Sequence, residues 1–295
     1  MWRFAVTGLL TLAVSCGSTA TGNDPLEEII IPRPGFETPL SALVYRPSTY
    51  DPSAPVVIVI HGASRNPETY CRSWFEAAEA AGSLIACPDF KRADFPSSWQ
   101  FNLGNVIDRD TGQMRPREAW SFLLVESLFD EVRQRYGSER DAYRLFGHSA
   151  GSQFVHRLLM YVPDARVEKA VAANAGWYTF PDESVAFPYG LGNSGLAVSE
   201  LKGFFARDLL ILLGDEDTET ASDNLRKTPE ANRQGRHRFA RGQAYFQFAK
   251  ETARARGVDF GWSSGVVRGA GHSQSQMAPA AAQYLLDLPA IPDSE

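Results

Sequence analysis

One short motif in this chain could supply a nucleophile. Gly147-His148-Ser149-Ala150-Gly151 reads G-x-S-x-G and lies between a strand-like stretch at 141–146 and a stretch at 152–160 that is apolar at helical spacing. A serine on a sharp strand-to-helix turn presents its hydroxyl for attack. Because the turn strains the serine backbone, we predict that a side chain at either flanking glycine would collide with the neighbouring strand or helix. Ser149 is therefore the predicted nucleophile.

A serine hydroxyl is weakly nucleophilic at neutral pH, so it needs a base, and the base needs a carboxylate to orient it. Gly214-Asp215-Glu216-Asp217 follows an apolar stretch at 208–213 that predicts a buried strand. Loops after the carboxyl ends of parallel strands are where such sheets build their sites. Asp217 is the predicted acid because strand–G-x-x-D is the usual spacing at this turn, and Asp215 is the alternative.

The predicted base is His272. Among the five histidines, it alone follows the acid on a glycine-flanked loop after a predicted strand. His61 ends an earlier strand, His148 lies inside the serine motif, His156 lies on the next helix and His237 begins a later helix. The serine, the acid and the base therefore come in one of the orders known for Ser-His-Asp triads.

Two backbone N–H groups are needed to stabilise the oxyanion that forms when a serine attacks a carbonyl carbon. We expect one from Ala150, directly after the nucleophile. The other is expected from the loop after His61-Gly62, where Ala63 is the first candidate and Ser64 the alternative. Gly62 lets the backbone of that loop come close to a substrate.

Alternating strands and helices must position these residues. Apolar or alternating stretches predict strands at 40–46, 55–60, 83–87, 141–146, 169–173, 208–213 and 262–268. Helical spacing predicts helices at 66–81, 117–136, 152–160, 237–256 and 274–286. The fold class is therefore α/β, with a mostly parallel sheet covered by helices on both faces. We predict one catalytic domain at 39–290, without a large cap, and a polar loop at 219–235.

The composition fits one large α/β domain with a substantial core. The chain has 295 residues, of which 44% are hydrophobic and 22% charged, and its net charge is -6. No basic stripe is present, which argues against nucleic acid as a partner. We expect no metal and no cofactor, because a serine triad requires neither.

The N-terminus reads as an export signal. One arginine precedes an apolar run in residues 1–14, which is too short to span a bilayer. Ser18-Thr19-Ala20 offers a small-residue cleavage site, so residues 1–20 are predicted to be a signal peptide. Alternatively, Cys16 ends a lipobox-like sequence and becomes a lipidated membrane anchor. Residues 21–38 would be a tether, and the mature protein would be periplasmic, outer-membrane or secreted.

Export changes how the two remaining cysteines are interpreted. Cys71 and Cys87 are the only cysteines after the signal segment. In an oxidising compartment such a pair favours a disulfide, with two buried free thiols as the alternative.

Taken together, these motifs resemble those of the α/β-hydrolases. Ile60-His-Gly-Ala63, the serine pentapeptide, Gly214-Asp-Glu-Asp217 and Gly269-Ala-Gly-His272 match that family's landmarks in order, over roughly 38–290. The resemblance implies the family's fold and triad. Within the family, the chain is similar to exported esterases of the polyhydroxybutyrate depolymerase and feruloyl esterase-like branch, which implies ester hydrolysis.

The substrate is less defined by the sequence. Aromatic side chains crowd the loops after the strands and would suit an aromatic acyl group or a polymer chain, so the substrate is a small or a polymeric ester. We predict that Trp177 and Tyr178 contact it, with loop packing as the alternative. The same triad can cleave amides, so a peptidase or amidase is the second hypothesis. A non-catalytic binding protein on a hydrolase scaffold is the third. Arg233, Arg236 and Arg238 are interpreted as a solvated face or as loop anchors, with binding of an anionic group as the alternative.

Overall fold

A computed structural model describes residues 24–33 and 38–289. The strands are β1 Leu26–Ile31, β2 Leu40–Tyr45, β3 Val56–Ile60, β4 Leu84–Asp89, β5 Tyr143–His148, β6 Val167–Ala173, β7 Leu209–Gly214 and β8 Ser263–Val267. The α-helices are α1 Pro67–Arg72, α2 Phe75–Ala81, α3 Leu124–Tyr136, α4 Ala150–Tyr161, α5 Lys202–Phe205, α6 Pro229–Gln234, α7 Arg238–Arg256 and α8 Gln274–Leu286. No helix in these described ranges is long and apolar enough to cross a membrane.

The eight strands form one mostly parallel sheet in the order β1-β2-β4-β3-β5-β6-β7-β8. Only the pairs β1–β2 and β2–β4 are antiparallel, and every other neighbouring pair is parallel. Strand β3 is apolar along its whole length and fully buried, as expected for a sheet covered on both faces. Every residue of β5 is buried as well, including Arg144 and His148. The predicted α/β class is confirmed.

Two hydrophobic layers flank the sheet. On one face, Leu128 of α3, Phe154 of α4 and Tyr245 of α7 pack in the larger core. On the other face, Trp74 beside α2 and Leu285 of α8 pack in the smaller one. The helices thus hold the carboxyl ends of β3, β5, β6, β7 and β8 at one edge, which is where the functional loops emerge.

The segment predicted to be a tether, 21–38, is partly a strand. Leu26–Ile31 pairs with β2 along its whole length as the edge of the sheet. Glu27 and Glu28 of this strand are exposed, whereas Ile29 and Ile31 are 1% exposed. Charged residues are common on edge strands because they hinder pairing with another chain, and here they make the strand look like a polar linker. The predicted signal peptide and Cys16 lie outside the described residues.

Three further elements differ from the prediction. The predicted helix at 66–81 is interrupted, and Trp74 is wholly buried between α1 and α2. The predicted helix at 117–136 begins with two short 3-10 turns before α3. The predicted loop at 219–235 contains α6, for which Thr228 is the N-cap and Pro229 is the first residue.

A disulfide joins Cys71 of α1 to Cys87 of β4. Both cysteines are fully buried, and their Cα atoms are 6.0 Å apart. The bond fastens α1 to the sheet beside the loop that follows β3. The predicted disulfide is therefore present in the structure.

Candidate active site

Ser149 occupies a strained turn between β5 and α4. Its φ and ψ angles are 58° and -113°, in a region that non-glycine residues seldom adopt. The Ser149 N–H donates a hydrogen bond to the Ala173 carbonyl at 3.0 Å, which ties the turn to the end of β6. The surrounding structure therefore holds a conformation that the isolated chain would avoid.

The glycines on either side of this turn are sterically required. A Cβ atom at Gly147 would lie 2.3 Å from the Gly151 carbonyl oxygen, and one at Gly151 would lie 2.1 Å from the Ile60 carbonyl oxygen. Neither backbone oxygen can move without disturbing α4 or β3. The predicted collisions are confirmed.

Three loops bring the predicted nucleophile, base and acid together. His272 Nε2 lies 3.0 Å from Ser149 Oγ, and His272 Nδ1 lies 2.7 Å from Asp217 Oδ2. In the neutral tautomer that satisfies both contacts, the Ser149 hydroxyl donates to Nε2 and Nδ1–H donates to the carboxylate. The alternative acid, Asp215, instead accepts a hydrogen bond from the Gly269 N–H at 2.8 Å. The geometry therefore favours Asp217 over Asp215.

Asp217 is buried beside an arginine. The Asp217 side chain is 1% exposed, and Arg238 Nη1 lies 3.4 Å from its Oδ1 atom. Arg238 is the first residue of α7 and is 2% exposed. The interpretation of Arg238 as part of a solvated face is wrong, because α7 begins against the acid loop and turns this side chain inward.

Asn174 links the acid loop to the histidine loop. Its Nδ2 atom donates to the Gly271 carbonyl at 3.1 Å, and its Oδ1 atom accepts from the Gly214 N–H at 2.8 Å. Asn174 follows β6 directly, is fully buried and has a φ of 48°. Asparagine tolerates this left-handed conformation better than most residues. Sequence reasoning missed this link, although an asparagine at a strand end was a weak signal for it.

The residues that carry the predicted oxyanion donors line the same cleft. Ala63, Ser64 and Ala150 all line it beside Ser149. Neither the Ala63 N–H nor the Ala150 N–H has a hydrogen-bond acceptor in the described part of the chain. Ala150 is also the first residue of the 12-residue helix α4, so its N–H lies at the positive end of the helix dipole.

A second histidine packs against the first. The ring centroids of His148 and His272 are 4.7 Å apart, and the Tyr70 hydroxyl lies 3.1 Å from His148 Nδ1. Burial, helped by the nearby His272 and Arg238, holds the pKa of His148 well below its usual range. His148 is therefore neutral at physiological pH and adds no charge beside His272.

His61 anchors the loop that carries Ala63. Its Nδ1 atom lies 3.0 Å from the Gly62 carbonyl oxygen, and its Nε2 atom accepts from the Phe90 N–H at 3.1 Å. Burial lowers the pKa of His61 to about 4, so the ring stays neutral and can make both contacts. Arg92 supports the same loop by donating to the Ala63 carbonyl at 2.6 Å.

The cleft has a volume of about 870 Å³, and Trp177 lies in its wall. Guanidinium groups lie near the Trp177 ring, that of Arg157 at 4.3 Å and that of Arg226 at 5.5 Å from its centroid. Tyr178, the other predicted substrate contact, does not line the cleft. It is fully buried and stacks on Tyr245, because consecutive loop residues point in different directions. The prediction of a substrate contact is wrong for Tyr178.

The remaining loop aromatics mostly pack inward. Phe101 and Tyr189 are buried, and Trp99 packs against Phe187.

Within residues 24–33 and 38–289, no group of three or more histidine, cysteine, aspartate or glutamate side chains could hold a metal ion.

Two solved structures are similar over nearly the whole chain. Poly(aspartic acid) hydrolase-1 from Sphingomonas sp. KT-1 is 38% identical, with a TM-score of 0.84, over 88% of this chain and 98% of that one. A poly(3-hydroxybutyrate) depolymerase from Bordetella parapertussis is 36% identical, with a TM-score of 0.85, over 91% of both chains. The chain belongs to the α/β-hydrolase superfamily. Within it, the chain belongs to the branch that resembles poly(3-hydroxybutyrate) depolymerases, and it is a serine hydrolase.

A third solved structure shares the fold at much lower sequence identity. The S-formylglutathione hydrolase from Agrobacterium tumefaciens is 16% identical, with a TM-score of 0.58, over 90% of this chain and 98% of that one. At this identity the likeness concerns the fold alone. No family profile matches the sequence, and a search of curated proteins finds no match.

Proposed function

We propose that this α/β-hydrolase cleaves carboxylic esters through an acyl-enzyme formed on Ser149. The observation that carries the proposal is the position of His272, with Nε2 at 3.0 Å from the Ser149 oxygen and Nδ1 at 2.7 Å from the Asp217 carboxylate. These distances allow His272 to take the serine proton while Asp217 fixes its tautomer.

The first half-reaction would form the acyl-enzyme. Ser149 Oγ attacks the ester carbonyl carbon while its proton moves to His272 Nε2. The oxyanion accepts hydrogen bonds from the N–H groups of Ala63 and Ala150. The tetrahedral intermediate then collapses, its bond to the alcohol oxygen breaks, and His272 Nε2 gives the proton to the departing alcohol.

The second half-reaction would release the acid. Water gives a proton to His272 Nε2 and attacks the acyl carbon. Collapse of this second intermediate breaks the bond to Ser149 Oγ, which recovers its proton from His272. Buried Asp217 accepts the Nδ1–H bond throughout and stabilises the imidazolium that forms in each half.

Hydrolysis of p-nitrophenyl esters from acetate to laurate tests this proposal. We expect turnover by the wild type and a loss of about 10³-fold or more in kcat for Ser149→Ala. Ser275→Ala is the matched control, because Ser275 lines the same cleft but bonds only to Ser273 within the described residues. Equal activity in wild type and Ser149→Ala would contradict the assignment of the nucleophile.

Amide hydrolysis is the second candidate. It is favoured by the 38% identity to a hydrolase of poly(aspartic acid), an anionic polymer joined by amide bonds. The exposed side chains of Arg92 and Arg226 at the cleft would suit such a polymer. Parallel assays on poly(aspartic acid) and on oligomers of 3-hydroxybutyrate would separate the two candidates. The first polymer offers amide bonds and negative charges, whereas the oligomers offer ester bonds.

We also propose that the protein is exported. The signal predicted at 1–20 supports this, as does the Cys71–Cys87 disulfide, since such bonds persist mainly in oxidising compartments. Cell fractionation followed by mass measurement of the mature N-terminus tests the proposal. A lipid on Cys16, with release from membranes in Cys16→Ser, would favour the anchored form, and a free N-terminus after Ala20 would favour the signal-peptide form.

A further inference from the structure

A buried amide on the nucleophile helix faces the cleft with an unused donor. Gln153 lies one turn after Ser149 on α4 and is 6% exposed. Its backbone N–H donates to the Ser149 carbonyl at 3.2 Å, and its side chain lines the same cleft as Ser149 and Trp177. The amide is therefore rigidly connected to the turn that carries the nucleophile.

Two donors fix which way this amide points. Gln153 Oε1 accepts from Asn102 Nδ2 at 2.9 Å and from Arg157 Nη1 at 3.3 Å. Because a guanidinium can only donate, the atom that faces Arg157 must be the oxygen of the amide. A flipped amide would set two donors against each other, so the Nε2 group is held on the opposite side.

The supporting residues are themselves locked. Arg157 is fully buried, and it donates to Thr179 Oγ1 at 2.7 Å and to the Asn102 carbonyl at 3.1 Å. Its guanidinium stacks on Trp177 in the cleft wall. Asn102 is 5% exposed. A cleft residue held by buried, hydrogen-bonded neighbours is preorganised for binding.

Gln153 Nε2 is the part of this network that remains free. It has no hydrogen-bond partner among the described residues, and it remains accessible from the cleft. A Cβ atom at Gly176 would lie 3.1 Å from it, so the missing side chain of Gly176 leaves the approach open. An N–H group here can be satisfied only from the cleft.

We propose that Gln153 Nε2 donates a hydrogen bond to a second oxygen of the substrate, beyond the ester that Ser149 attacks. The inference rests on the proposed function. The preferred substrates are then esters that carry a second oxygen acceptor, such as a ketone, ester or hydroxyl oxygen. Esters with a plain alkyl chain at that position are poorer substrates. Gln153 is then a specificity-determining residue, because a plain chain leaves this donor unpaired in the complex.

The sharpest variant is Gln153→Glu. The carboxylate keeps an acceptor for Asn102 and Arg157, so the buried network stays satisfied, but the donor toward the cleft becomes an acceptor. Gln153→Leu is less informative because it would leave the buried Asn102 Nδ2 donor without its acceptor. Gly176→Ala is the second variant, since it crowds Nε2 without touching Asn102 or Arg157.

Substrate pairs that differ by one ketone oxygen provide the readout. On the acyl side, p-nitrophenyl 4-oxopentanoate is compared with p-nitrophenyl pentanoate. On the alcohol side, 2-oxopropyl butyrate is compared with 2-methylpropyl butyrate. A ketone oxygen can only accept a hydrogen bond. The preference of each enzyme is the ratio of its kcat/KM values for the two members of a pair. Comparing this preference between variant and wild type cancels the intrinsic reactivities of the two substrates.

We expect Gln153→Glu to reduce the preference for the ketone by about tenfold in at least one pair, the effect of losing one hydrogen bond. Gly176→Ala should reduce the preference in the same pair. The melting temperature should stay near wild type, so that a changed substrate ratio cannot be attributed to a loosened fold. Unchanged ratios in both pairs, with Ser149 still labelled by a fluorophosphonate, would overturn the role of Gln153 alone. Absence of labelling in the wild type would overturn the proposed function and this inference with it.

Discussion

Arg238 and Asp217 form a buried ion pair on the side of the carboxylate that His272 leaves free. Arg238 Nη1 lies 3.4 Å from Asp217 Oδ1, and His272 Nδ1 lies 2.7 Å from Asp217 Oδ2. Both members of the ion pair are at most 2% exposed. The carboxylate is thus held from two directions, and the orientation of His272 depends on a residue that never reaches the cleft.

The role of Asp217 can be separated from that of Asp215. We expect Asp217→Asn to lower kcat by about 10³- to 10⁴-fold, because an amide can set the wrong tautomer of His272 and cannot stabilise the imidazolium. Asp215→Asn is the matched control, since the Asp215 carboxylate accepts from the Gly269 N–H and does not contact His272. Steady-state kinetics on p-nitrophenyl butyrate measures both. A larger loss in Asp215→Asn than in Asp217→Asn would reverse the assignment of the acid.

Removing Arg238 should destabilise the protein more than an ordinary surface change. Arg238→Met leaves the Asp217 carboxylate buried without its cation, and we expect the free energy of unfolding to fall by about 3 kcal/mol. Arg236→Met, at an exposed arginine two residues earlier, should change it by less than about 0.5 kcal/mol. Urea unfolding gives both values. A loss in Arg238→Met no greater than that of the control would mean that the ion pair contributes nothing.

Residues whose roles follow from local backbone geometry could be predicted from the sequence. Ser149, Asp217 and His272 each follow a strand on a turn with a recognisable glycine, and the structure brings all three together. Gly147 and Gly151 could be explained in the same way, because the steric demand of the turn is local.

Residues whose roles depend on tertiary packing could not be predicted. The local sequence around Arg238, Asn174 or Gln153 does not predict which distant atoms each side chain will contact. Trp177 and Tyr178 are adjacent and equally aromatic, but one faces the cleft and the other the core, since the loop has no period that would fix their directions.

Buried neutral histidines should make the stability depend on pH. His61 and His156 each use both ring nitrogens, and His156 Nε2 accepts from the Thr179 N–H at 3.2 Å. Burial lowers the pKa of His61 to about 4 and holds those of His156 and His148 well below the usual range. The unfolded chain therefore binds more protons than the folded one below about pH 6.5.

We expect the histidines to leave the free energy of unfolding nearly constant around pH 7 to 8 and to lower it as the pH drops from 6.5 toward about 4. His61 alone accounts for a loss on the order of 3 kcal/mol across this range. Urea unfolding at a series of pH values measures the slope. His156→Gln, which can keep a donor and an acceptor, should have a shallower slope by about one proton. A flat profile between pH 6.5 and 4.5 would contradict neutral burial of these rings.

The Cys71–Cys87 disulfide should contribute to stability by restricting the unfolded chain. It closes a loop with a sequence separation of 16, for which loop-closure entropy corresponds to about 3 kcal/mol. We expect Cys71→Ala/Cys87→Ala to lower the free energy of unfolding by about that amount. Reduced wild type is the control for lost side-chain packing, since it keeps both buried sulfur atoms. Tyr70 is adjacent to Cys71 on α1, and the Tyr70 hydroxyl lies 3.1 Å from Nδ1 of His148, which packs against His272. Loss of the disulfide should therefore also lower kcat modestly if α1 loosens. Unfolding curves that coincide for oxidised and reduced protein would show that the bond restricts nothing.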